Sequence, residues 1–122
     1  MNKSTPPSGL GHLRIVISDK AYIGPGRADL LEGIAASGSI SAAGKAMGMS
    51  YKRAWGLVQA LNEGFGRPLV ETVRGGAGQG GAVLTPLGQS VLDRYRAMQR
   101  ATEAAIAEDV AALRDLISDI SQ

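Results

Sequence analysis

A polar lead-in gives way at Leu13-Arg14-Ile15-Val16-Ile17 to a short β-branched run that predicts a strand. Gly24-Pro25-Gly26 then reads as a turn. Beyond it Leu30, Leu31 and Ile34 recur at helical spacing, and Ser37-Gly38 stops that helix. Ser39-Ile40-Ser41 supplies hydroxyl caps for a second helix, which passes through Ala43 and Ala46-Met47 and breaks at Gly48. Ser50 caps a third helix, expected from Tyr51 to about Glu63, with Ala54, Leu57, Val58 and Leu61 on one apolar face. Gly64-Phe65-Gly66-Arg67-Pro68 is expected to end it.

The period then shortens. Leu69 to Arg74 is rich in β-formers, residues 75–81 hold five glycines, and Ala82-Val83-Leu84 is again extended and apolar. Two strands around a glycine-rich loop make a hairpin, or wing. Thr85-Pro86 is a hydroxyl cap followed by proline at the first helical position. From there to about Ile120 only Gly88 interrupts a helical composition. Such a helix extends roughly 50 Å at about 1.5 Å per residue, more than the rest of the domain offers it to pack on. Its apolar stripe comprises Val91, Tyr95, Met98 and Thr102, then, after a stutter, Ile106, Val110, Leu113, Ile117 and Ile120. That seam suits another helix, parallel or antiparallel, and predicts a homodimer. The alternative is a helix broken near Ala101 that folds back on its own domain.

These elements define a fold class that is mainly α with a small β-wing: a winged helix-turn-helix followed by a long C-terminal dimerisation helix. Residues 1–11 form a disordered lead-in, 12–85 the DNA-binding domain and 86–122 the long helix. Where two short helices cross tightly, small residues are needed, and Ala43 and Gly44 provide them. Gly48 tolerates the positive φ of the turn. At about 100° per residue, Lys52, Gly56, Gln59 and Glu63 lie opposite the apolar face, with Arg53 beside them. Tyr51, Lys52 and Arg53 occupy the first turn, the part of a recognition helix that reaches base edges. Lys and Arg donate to guanine or grip phosphate, Gln59 can pair with adenine, and Ser50 with the free N–H groups at the helix start suits a phosphate. Gly56 permits close approach to a groove wall. Trp55 reads better as a packing residue than as a base-stacker. In the wing, Gly75, Gly76, Gly78, Gly80 and Gly81 let the loop bend towards a phosphate backbone, and Arg74 at its base contacts phosphate or the minor groove. A free hairpin tip and a merely solvated Lys52-Arg53 pair are the plainer alternatives.

Charge sharpens this picture. The 122-residue chain has a net charge of only +2. Residues 1–100 nevertheless hold twelve Lys/Arg against six Asp/Glu, and residues 101–122 hold one against five. A basic body suggests a polyanionic partner, the plainer alternative being an ordinary solvated surface with a helix end of opposite sign. With the helix-turn-helix and the wing, double-stranded DNA is the partner expected. Gly76 to Gly81 matches G-x-G-x-x-G by letter, but an extended run follows instead of a helix, so the dinucleotide reading fails. Cysteine is absent, and His12, the only histidine, sits outside the core. No nucleophilic triad, metal motif or Walker motif can therefore be assembled. The chain is expected to be no enzyme and to need no cofactor or metal. With no apolar run near the roughly 20 residues of a membrane span and no signal peptide, a cytoplasmic location is expected.

Gly38-Ser39-Ile40-Ser41-Ala42-Ala43, Gly48-Met49-Ser50-Tyr51-Lys52-Arg53-Ala54-Trp55, Gly75-Gly76, Gly80-Gly81-Ala82-Val83-Leu84-Thr85 and Gly88 together resemble the N-terminal domain of ModE-type molybdate-responsive transcription regulators. More distantly, Ser41-Ala42-Ala43 and Leu84-Thr85-Pro86-Leu87-Gly88 are similar to the LysR-type winged helix. The resemblance implies a homodimer whose recognition helices enter successive major grooves, with Ser50, Tyr51, Lys52, Arg53 and Gln59 facing DNA. It implies a sequence-specific transcriptional regulator. No molybdate-binding domain is legible after the long helix, so direct molybdate binding is not expected. A protein-interaction module or a non-specific DNA binder on the same scaffold are the competing readings.

Overall fold

The structure, a computed structural model, describes residues 9–74 and 80–121, with side chains to residue 118. The lead-in over 1–8 and the loop glycines Gly75, Gly76 and Gly78 lie outside the described residues.

Eight elements follow in order: β1 (Ile15–Val16), β2 (Tyr22–Ile23), α1 (Pro25–Ser37), α2 (Ile40–Ala46), α3 (Tyr51–Phe65), β3 (Val70–Arg74), β4 (Gly80–Leu84) and α4 (Pro86–Ser121). This is a winged helix-turn-helix with a long C-terminal helix. No helix among the described residues is long and apolar enough to cross a membrane.

The expected strand over 13–17 contracts to two residues because its partner is short. β1 and β2 pair antiparallel through Ile15 with Ile23 and Val16 with Tyr22. A turn closed by Ile17 N–H on the Ala21 carbonyl (2.8 Å) ends the ladder. The expected turn at Gly24-Pro25-Gly26 is instead the start of α1, with Gly24 as cap and Pro25 as the first residue. Proline is at home there: its missing N–H has no helical partner to lose, and its φ is already helical. Leu30, Leu31 and Ile34 of α1 are fully buried. Gly38, at φ 74°, ends the helix with its N–H on the Ile34 carbonyl.

Ser39 caps α2 by accepting from the Ala42 N–H (2.9 Å), and Ser50 caps α3 by accepting from the Arg53 N–H (3.1 Å). Between the helices, Gly48 at φ 76° reverses the chain, and the Met49 N–H returns to the Gly44 carbonyl (3.0 Å). A methyl group on Gly44 would stand 2.7 Å from the Ala54 Cβ, so the crossing is closed to any larger residue. Helix α3 runs two residues past the expected end, through Gly64, which leaves room for the Lys20 carbonyl. Ala54, Val58 and Leu61 are its buried face.

β3 and β4 pair from Val70 with Leu84 to Arg74 with Gly80. Gly80 and Gly81, expected in the loop, are therefore strand residues; Gly81 lies against the Gly38 carbonyl, which also accepts from the Ala82 N–H (2.9 Å). The wing is fixed to α3 by Asn62. Its carboxamide oxygen accepts from the Leu69 and Val70 N–H groups (2.8 and 3.3 Å), and its nitrogen donates to the Val70 carbonyl (3.2 Å).

Thr85 caps α4 by accepting from the Gly88 N–H (3.0 Å) while its hydroxyl donates to the Pro68 carbonyl (2.7 Å). The helix is continuous past Ala101 and extends about 54 Å. Its early turns close the core with Leu92 and Tyr95. Tyr95, expected in the intermolecular seam, is instead wholly buried in its own chain, and its hydroxyl donates to the Leu13 carbonyl (2.7 Å). Desolvation raises its pKa above the ordinary 10.0. Next to it, Arg96 binds Asp29 (2.8 Å) and Glu32 (2.6 Å) of α1. Burial opposes the Arg96 charge, but hydrogen bonds to these two carboxylates outweigh it and raise the guanidinium pKa. Beyond Thr102 the helix leaves the body, exposing Leu113, Leu116 and Ile117 by 56–65%.

Candidate nucleic-acid interface

The corner at Gly48 aims the first turn of α3 outward. Ser50, Lys52 and Arg53 are exposed and meet with Gly56 and Leu57 around one surface hollow of about 410 Å³. No heavy atom lies within 4 Å of where a Gly56 Cβ would be. Among the described residues, ion pairs form only at Arg96, so the Lys52 and Arg53 charges are not neutralised by their own chain. The hydroxyl oxygen of Ser50 is already committed to the Arg53 N–H, which leaves its proton for a further acceptor.

The remaining expected contacts divide between two neighbouring clefts. Tyr51, 57% exposed, stacks on Trp55 with centroids 6.3 Å apart. Both rings border a cleft of about 300 Å³ between the start of α2 and the wing, shared with Ser39, Thr72 and Gly81. Trp55 is half-buried against the core, as a packing residue should be. Gln59 is exposed two turns along α3, in a groove of about 440 Å³ that also contains Glu71 and Thr72. Arg74 is exposed at the outer end of β3, opposite Gly80. The structure thus gathers Ser50, Lys52 and Arg53 in one place, sets Tyr51 towards the wing, and holds Gln59 and Arg74 apart from them.

Two basic residues not singled out in the sequence join this surface. The guanidinium carbons of Arg14 and Arg27 each lie 3.8 Å from the Tyr22 ring centroid. With His12 and Arg53 they line a pocket of about 220 Å³. Their signal was confined to the positive balance of residues 1–100, because 39 positions separate Arg14 from Arg53. Asn62 was missed too, since only the folded hairpin supplies its partners. Among the described residues no group of three or more His, Asp or Glu side chains could hold a metal ion.

Comparison with known proteins agrees with this geometry. The family model for the bacterial regulatory helix-turn-helix protein, lysR family, matches residues 27–89, from the first turn of α1 to that of α4. The DNA-binding transcriptional dual regulator ModE of Escherichia coli (strain K12) is 38% identical over 114 residues, covering 90% of this chain and 44% of that protein. The molybdenum-pterin-binding protein MopB of Rhodobacter capsulatus is 46% identical over 79 residues, 65% of this chain and 29% of that one. The chain spans less than half the length of these curated relatives. A crystal structure of the CbnR_DBD-DNA complex shares the fold at a TM-score of 0.56, with 24% identity over 71% of this chain and 94% of that one.

Proposed function

The chain belongs to the lysR family of bacterial regulatory helix-turn-helix proteins, and from that premise we propose that it is a sequence-specific, DNA-binding transcriptional regulator. The observation that carries this reading is the first turn of α3. Lys52 and Arg53 stand exposed, with no carboxylate partner among the described residues, over a corner that Gly44 and Gly48 hold tight. In this reading the turn enters a major groove, where Lys52 and Arg53 donate to base edges or phosphates. Ser50 and Tyr51 grip the flanking backbone, Gln59 reads a base further along, and Arg74 meets the phosphates beside the wing.

The exposed end of α4 supports a homodimer. Leu113 and Ile117, together with half-buried Ile106 and Val110, form a stripe that leaves the body of its own chain. Val91 and Met98 flank the same helix nearer the core. A second copy burying that stripe sets two recognition helices on two half-sites. We assign the described residues to DNA and to a second copy, and assign none to molybdate.

Selection of bound duplexes from a random pool tests the reading. A recovered sequence whose binding is lost in Lys52→Ala and Arg53→Ala supports it. A flat profile across the pool makes the protein a non-specific binder instead, and recovery of no DNA leaves α4 as a protein-interaction helix.

A further inference from the structure

We propose that the pocket between Arg14, Arg27 and Arg53 is a second DNA contact, one that holds a backbone phosphodiester and carries no sequence information. The inference rests on the DNA-binding reading and extends its surface beyond the helix-turn-helix and the wing, to Arg14 and Arg27.

Three observations carry it. First, cations converge. Arg14 precedes β1, Arg27 lies in the first turn of α1 and Arg53 in the first turn of α3, and all three line one pocket with His12. Secondly, no carboxylate among the described residues pairs with them. The lining contains no Asp or Glu, and the acidic residues of α1, Asp29 and Glu32, are paired with Arg96. Each of the two guanidinium groups instead rests against the Tyr22 ring, and Arg27 also reaches the Tyr22 carbonyl (3.5 Å). Like charges gathered without a counter-charge repel one another until an anion joins them. Guanidinium forks match phosphate oxygens in geometry as well as in sign. Thirdly, the pocket is continuous with the candidate interface. Arg53 and Leu57 line both this pocket and the hollow that holds Lys52 and Gly56. A duplex seated on the first turn of α3 therefore brings its phosphate backbone past Arg14 and Arg27.

The test is the salt dependence of duplex binding. Each phosphate contact contributes about 0.9 to the slope of log K against log salt. Arg14→Gln with Arg27→Gln frees that one phosphodiester and should lower the slope by about 0.9 for each protomer on the duplex. At about 0.1 M monovalent salt that is roughly eight-fold weaker binding per protomer, converging with wild type near 1 M. The selected sequence should stay the same. The paired Arg→Lys variants, which keep the charges, should retain most of the slope. Arg14→Gln alone changes an exposed residue and carries the test, with roughly half of that loss, if the double variant fails to fold.

An unchanged slope in these Gln variants overturns the proposal while leaving the recognition helix in place, provided Lys52→Ala and Arg53→Ala still abolish binding. If wild type shows no sequence preference, the underlying reading has failed; if it binds no duplex, both fall. Titration with inorganic phosphate separates a free anion from DNA. Wild-type binding of phosphate that the Gln pair loses, alongside an unchanged duplex slope, assigns the pocket to a small anion and overturns the DNA assignment.

Discussion

Gly56 offers the sharpest separation of stability from function. It sits in the interior of the 15-residue helix α3, on the side opposite the buried Ala54, Val58 and Leu61. A Cβ placed there meets no heavy atom within 4 Å, so packing gives no reason for glycine. Glycine in a helix interior costs about 1 kcal/mol relative to alanine, through backbone entropy. Gly56→Ala should therefore stabilise the free protein by about 1 kcal/mol and raise its thermal midpoint by roughly 4 °C for a domain near this size. Gly56→Leu should keep most of that gain. On DNA the order reverses. A leucine between α3 and the groove wall pushes the first turn away, and loss of one bidentate base contact costs about 1–3 kcal/mol, or roughly 5- to 150-fold in affinity. Thermal unfolding and titration of a fluorescent selected duplex measure the two effects on the same samples. A Gly56→Leu protein that is more stable than wild type and binds that duplex equally well would show that α3 turns a different face to DNA.

The other expectations concern the scaffold. Gly44→Ala forces a methyl group against the Ala54 Cβ, and overpacking of this kind costs about 1–3 kcal/mol; urea unfolding with no loss of stability would show that the α2–α3 crossing is looser than drawn. Tyr95→Phe removes the hydrogen bond to the Leu13 carbonyl and should cost about 1 kcal/mol in the same assay. Because desolvation raises the Tyr95 pKa, the folded state holds the phenolic proton more tightly than the unfolded chain does. That contribution is complete below the ordinary value of 10.0 and is lost as pH rises through the higher folded value. Stability should therefore fall above about pH 10 more steeply in wild type than in Tyr95→Phe. Leu113→Asp with Ile117→Asp should convert a dimer to the 12.6 kDa monomer in sedimentation; a wild-type protein that already sediments at that mass removes the dimer.

Local rules carried the sequence reading a long way. Hydroxyl caps act over three residues, so Ser39, Ser50 and Thr85 marked the starts of α2, α3 and α4 directly. The same holds for Gly38 and Gly48, whose positive φ is a property of the chain at that point. Where the reading slipped, the deciding partner was remote. Gly24-Pro25-Gly26 resembles a turn until Ala28, Leu30 and Leu31 find a core that keeps the segment helical. Gly80 and Gly81 look like loop until Arg74 and Val73 pair with them. Tyr95 sits in the stripe of α4 by spacing alone, yet Leu13, 82 positions earlier, takes its hydroxyl.

The sequence alone therefore determined the order of elements from α1 onward, though not β2, together with the tight two-helix corner and the outward cationic turn at Lys52 and Arg53. Those follow from periodicity, capping and steric limits, which act between residues a few positions apart. Only the tertiary structure decided which part of α4 its own core consumes and which part it leaves for another chain. It alone bound the wing to Asn62 and brought Arg14 and Arg27 beside Arg53. The reason is that burial and charge proximity depend on distances in space, and no spacing along a chain specifies which distant residues its folding will bring together.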